Sequence, residues 1–103
     1  MKSKLKFEWD EEKNMLNKKN HRISFEDATA VFEDPQVVTI YDEAHSEDED
    51  RFIVIGFDFL SRHLAVCHCL RESGDIVRII SARMATKDER KFYREENNIY
   101  YED

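Results

Sequence analysis

The run from Arg78 to Tyr93 constrains this chain more than any other part of it. Ile76, Val77, Ile79 and Ile80 are β-branched and suit a pleated, half-buried strand over 76–82. Thr86 stands three residues before Glu89, the spacing of a capping box. The threonine hydroxyl accepts from the Glu89 N–H, and the glutamate reaches back to the Thr86 N–H. A strand must therefore give way, within a few residues, to a helix beginning near Lys87. That geometry gathers Arg78, Arg83, Arg90, Lys87, Lys91 and Tyr93 at one corner, which is the candidate site.

The 103 residues make one domain with a single core, over 1–96, followed by an acidic tail over 97–103 that the sequence predicts to be flexible. Two glycines and one proline leave little room for long loops, while seven Phe, four Tyr and Trp9 require a core. Cys67 and Cys69 lie two apart on one strand, where bridging geometry is poor. Free thiols, and an N-terminus with lysines but no apolar segment, predict a cytoplasmic protein. No apolar run approaches the length of a membrane span.

The net charge of −7 argues against non-specific nucleic-acid binding, but it is unevenly spread. Residues 1–24 carry +3, residues 25–70 carry −9, residues 71–94 carry +3 and residues 95–103 carry −4. Two basic segments flank an acidic middle. Either the charges solvate the surface, or the basic segments meet and face a polyanion.

Leu5, Phe7 and Trp9 alternate with charged residues in a short strand. Asp10 caps a helix over about 11–20 whose apolar content, Met15 and Leu16, is thin enough to put it on the outside. Lys13, Asn17 and His21 form one polar stripe on it, either a solvated face or the border of an RNA-facing cleft. Ser24 caps a second helix, with Phe25, Ala28, Val31 and Phe32 turned inward, and Asp34-Pro35 ends it. Strands follow at 37–41, 51–57, 62–70 and 76–82. The stretch 42–50, with six acids, reads as an exposed loop or, alternatively, as a metal site from Asp42, Glu43 and His45. A five-residue hairpin loop would pair Leu70 with Ile76 and set His68 opposite Arg78. The order β-α-α-β-β-β-β-α predicts an α+β fold, a mainly antiparallel sheet with helices on one face.

Cys67 and His68 point to opposite faces of a strand and cannot act as a pair, and zinc has no complete ligand set. No phosphate-binding glycine loop is present. Arginine chemistry remains. Metal-free RNA cleavage needs a base for the 2′-hydroxyl, cations for the phosphorane and an acid for the 5′ oxygen. Arg78, Arg83, Arg90, Lys13, His68, Glu89 and Tyr93 are residues of the required kinds.

Phe7-Glu8-Trp9-Asp10, Lys13, Asn17, His21, Ser24 to Ala28, Val31-Phe32, Asp34-Pro35, His45-Ser46-Glu47, Arg51, Gly56 and the run Ile79-Ile80-Ser81-Ala82-Arg83-x-Ala85-Thr86-x-x-Glu89-Arg90 together resemble the BrnT toxins. The resemblance spans roughly residues 7–95. It implies a RelE-like fold and a type II toxin, a ribonuclease that blocks translation, acting on RNA that is free or ribosome-bound. It implies no cofactor or metal. It implies a BrnA-like antitoxin with a ribbon-helix-helix DNA-binding domain, so that DNA is met only through the complex. The motif arginines would be Arg83 and Arg90, working with Tyr93, Glu89 and Lys13. Arg78, Arg51, His68, His21 and Lys87 would contact RNA. Arg22 departs from the family by standing where a glycine usually follows the histidine. The net acidity is the second departure, and it keeps open a catalytically weak module that binds a DNA-binding antitoxin and regulates its operon.

Overall fold

The computed structural model describes residues 5–99. Strand β1 (Lys6–Glu8) leads to helix α1 (Glu11–His21) and helix α2 (Phe25–Ala28), which runs on as a 3-10 turn over Thr29–Glu33. Strands β2 (Val38–Tyr41), β3 (Phe52–Phe57), β4 (His63–Arg71) and β5 (Ile76–Met84) follow, then helix α3 (Lys87–Glu96). This is the element order predicted from the sequence. The five strands form one sheet in the order β1-β5-β4-β3-β2. β1 runs parallel to β5, and every other pairing is antiparallel.

Local signals fixed the helix starts. Asp10 accepts from the Glu12 and Lys13 N–H groups, and Ser24 accepts from Asp27. The Thr86–Glu89 capping box is complete in both directions. Arg22 ends α1 in the left-handed region at φ 59°, the conformation a glycine would adopt without cost.

The hairpin register is one residue off the sequence expectation. Arg71, not Leu70, pairs with Ile76, and Cys69 faces Arg78. Successive positive φ values at Glu72, Ser73 and Gly74 close the turn in four residues rather than five. A bulge then leaves Ile80 unpaired, so His68 faces Ile79 while Cys67 faces Ser81.

Two clusters draw on alternate residues of the same strands and so lie on opposite faces. Ile23, Phe25, Ala28 and Val31 pack on Val54, Leu64, Val66, Val77, Ile79 and Ala82. On the other face Tyr93, with Phe92 and Ile99 beside it, packs on Ile55, Ala65 and Ala85. The expectation of helices on one face thus fails for α3. The short turn at Ala85 and Thr86 folds it back beneath the sheet.

Helix α1 is held by amides rather than by apolar residues. Met15 and Leu16 are exposed, whereas Asn14 and Asn17 are buried. Asn14 accepts from the Phe25 N–H and donates to Glu26. Asn17 donates to the Ile23 and Ala82 carbonyls and accepts from the Ala82 N–H. It thus prolongs, with a side chain, the ladder that β1 begins on the edge of β5. Three residues of the segment assigned to the tail close α3. Asn98 is left-handed, and the Asn98 and Ile99 N–H groups return to Glu95 and Arg94. Residues 100–103 of that tail lie outside the described residues.

Candidate active-site cleft

Helix α3 covers only one end of its face of the sheet. The rest forms the floor of an open cleft of about 350 Å³, lined by Ile53, Cys67, Ile80 and Ser81, with Asp42, His45, Arg51 and Arg83 around it. The bulge at Ile80 lets two consecutive residues, Ile80 and Ser81, face this side.

Arg83 is fixed by Glu89, with Nη1 donating to Oε1 at 2.7 Å and Nη2 to Oε2 at 3.0 Å. The same Oε1 accepts from the Thr86 N–H at 2.8 Å, so one carboxylate both caps α3 and orients the arginine. The Arg83 bond holds the Glu89 carboxyl below its ordinary range and raises the guanidinium. Glu89 is therefore an ionised anchor, poorly suited to moving protons.

Across the cleft, the root of the acidic loop is closed. The Asp42 N–H donates to the Arg51 carbonyl, and the Ser46 hydroxyl joins Asp42 O to the Arg51 N–H. This sets Arg51 and His45 side by side. His45 Nδ1 lies 3.0 Å from Asp42 Oδ2 and 3.1 Å from Oδ1; the ring is 69% exposed, the carboxylate 12%. Arg51 Nε is buried without a partner among the described residues. Cys67 lies on the floor, its thiol pushed up to about 11 by burial and then by Asp42, so it stays protonated and unreactive. No three His, Cys, Asp or Glu side chains among the described residues are grouped to hold a metal ion.

The other expected site residues scatter. Arg90 Nη1 donates to the Ala85 carbonyl at the start of α3. Tyr93 is 3% exposed, and its hydroxyl donates to Asp34 Oδ2 at 2.9 Å, with its ring set edge-on against Phe57 and His63. Arg78 pairs with Glu8 at 2.7 Å. Lys87 is exposed on the first turn of α3. Lys13 and His21 are exposed on α1, one turn before and one after Asn17; no hydrogen bond or ion pair among the described residues joins them to Arg83. His68 is a correction. It is buried on the far face, its ring against Phe32 and Phe52, and burial lowers its pKa. Alternation along β4 puts it with Leu64 and Val66 on the core face, and the register slip only changes its cross-strand partner from Arg78 to Ile79.

Asp34 carried no signal beyond its proline, yet it accepts from both the Tyr93 hydroxyl and the Phe57 N–H. Gly56 makes this possible, since a Cβ there would stand 2.9 Å from Asp34 Oδ2 and 3.2 Å from Val31 Cγ1.

The chain is a five-stranded, mostly antiparallel α+β domain with Arg51 and Arg83 lining an open cleft on one sheet face. Residues 9–89 match the family model "Ribonuclease toxin, BrnT, of type II toxin-antitoxin system". The chain belongs to the BrnT family. A crystal structure of the Brucella abortus ribonuclease toxin BrnT superposes with a TM-score of 0.61 at 22% identity, covering 81% of this chain and 99% of that one. No functionally curated protein sequence matches this chain. Membership brings with it an antitoxin partner. Among the described residues, no helix is long and apolar enough to cross a membrane.

Proposed function

We propose that this protein is a cytoplasmic endoribonuclease toxin that cuts RNA without needing a metal, thereby blocking translation, and is neutralised by a BrnA-like ribbon-helix-helix antitoxin. The observation that carries the reading is Arg83, held at two points by Glu89 on a cleft whose opposite wall supplies Arg51. A guanidinium fork matches phosphate oxygens, and a preorganised cation lowers the barrier as charge gathers on the phosphorane. Lys87, on the adjoining first turn, extends the positive wall along an RNA strand. Arg90 supports the corner from the Ala85 carbonyl, while Arg78, Lys13 and His21 lie farther along the RNA path.

The test is cleavage of short RNAs by purified protein in EDTA, beside growth after induction. Wild type should cut and arrest growth, and Arg83→Ala should cut about 10²- to 10³-fold more slowly and not arrest growth, while losing about 1 kcal/mol of stability or less. Full activity in Arg83→Ala would sink the assignment, and loss of cleavage in EDTA would sink metal independence.

A second reading draws on the acids. Glu47, Asp48 and Glu49 border Arg51, and both Nη atoms of Arg83 are already engaged. A weakly active protein that serves mainly to bind its antitoxin and repress its operon fits these facts. It predicts a folded wild type that binds antitoxin tightly and cuts nothing.

A further inference from the structure

We infer that His45 is the general base of this cleft and that Asp42 is its positioning residue. The inference rests on the ribonuclease reading above. Two proton-carrying residues that the sequence offered are engaged elsewhere: Glu89 is clamped to Arg83, and the Tyr93 hydroxyl is buried against Asp34. His45 is the one imidazole on the cleft. Its Nδ1 faces both oxygens of the Asp42 carboxylate, which is acceptor-only when ionised, so Nδ1 carries the hydrogen. Nε2 is then the basic nitrogen, on an exposed ring that substrate can reach. Asp42 is itself held, its N–H by the Arg51 carbonyl and its carbonyl by the Ser46 hydroxyl. Arg51, Arg83, Cys67 and Glu47 to Glu49 are the other charged or titratable groups around the ring.

In the step, His45 Nε2 takes the 2′-hydroxyl proton as the 2′ oxygen bonds to phosphorus. The phosphorane charge falls to Arg83 and Arg51. The P–O5′ bond breaks, the 5′ oxygen takes a proton from water, and the imidazolium returns its proton to the hydroxide left behind. The products are a 2′,3′-cyclic phosphate and a free 5′-hydroxyl, with no oxidant or added cofactor.

The experiment uses the full chain and a short RNA at single turnover, with the 2′-O-methyl form of the same RNA as a binding probe. His45→Gly should cut at least about 100-fold more slowly, in the range for loss of a positioned base. It should melt and bind the probe like wild type and regain rate with added imidazole. Asp42→Asn should lower kcat while leaving KM in place. Wild-type products ending in a 2′,3′-cyclic phosphate support the step, and products with a 3′-hydroxyl overturn it. If wild type cuts and His45→Gly cuts within about threefold of it, the His45 assignment is overturned and the ribonuclease reading survives. If folded wild type cuts neither free nor ribosome-bound RNA, both readings fall together.

Discussion

Arg62 and Arg83 both stand at a strand end, and both meet a carboxylate through two nitrogens, yet the molecule uses them differently. Arg62, just ahead of β4, donates to Asp58 Oδ2 from Nε, with Nη2 at 2.7 Å from the same oxygen, to Asp27 from Nη2 and to the Arg22 carbonyl from Nη1. Asp58 also takes the Leu60 and Arg62 N–H groups and is almost wholly buried. That guanidinium ties the β3–β4 turn to α2 and to the end of α1. Arg83 meets one carboxylate and, at 3.4 Å, the Met84 carbonyl, so Nε has no acceptor among the described residues. Donors that are all engaged inside the fold make a joint. Donors left facing a cleft make a binding group. An arginine's worth for function is read from what its fork has left over.

Exchanging the two tests this contrast. Arg62→Ala strands the buried Asp58 carboxylate and should cost about 3–5 kcal/mol of stability in a urea melt, with cleavage per folded molecule unchanged. Arg83→Ala should do the reverse, slowing cleavage about 10²- to 10³-fold while stability falls by about 1 kcal/mol or less. If both variants lose mainly stability, the contrast is wrong. Asn17→Ala leaves Ala82 and Ile23 backbone groups unmet and should cost about 2–4 kcal/mol by the same melt.

Smaller effects sharpen the picture. Arg22→Gly relieves the left-handed φ and should stabilise by about 1 kcal/mol. Acid should destabilise in two stages. His68 has a lowered folded pKa, so its contribution is complete above the ordinary histidine value of 6.5 and is lost as pH falls below it. Glu89 is likewise lowered, so its contribution holds above 4.5 and fades as pH falls through its folded value. Stability curves of His68→Leu and Glu89→Gln should lose part of the upper and lower stage respectively.

What the sequence revealed was local. Caps at Asp10, Ser24 and Thr86 need only a few neighbouring residues, and strands betray themselves through β-branched runs. The features that hid were set by distant pairings. The positive-φ turn after Arg71 decides which residue His68 pairs with, and the bulge at Ile80 decides which face Ser81 occupies; neither leaves a mark in residue type. Asn17 read as part of a polar stripe, solvated or bordering a cleft, and Asn14 went unread, because their backbone partners lie in other elements. Arg62 drew no attention, although it binds three oxygens from three other residues. The arginine pair Arg83 and Arg90 was expected as one site, but Arg90 donates to the Ala85 carbonyl at the start of α3, and the other arginine lining the cleft with Arg83 is Arg51, whose Nη2 lies 3.7 Å from Glu49.

Because one oxygen of Glu89 closes the first turn of α3 and grips Arg83, helix fraying and loss of that arginine's aim are one event. Gentle heating that loosens a single turn should blunt the protein well before its core melts.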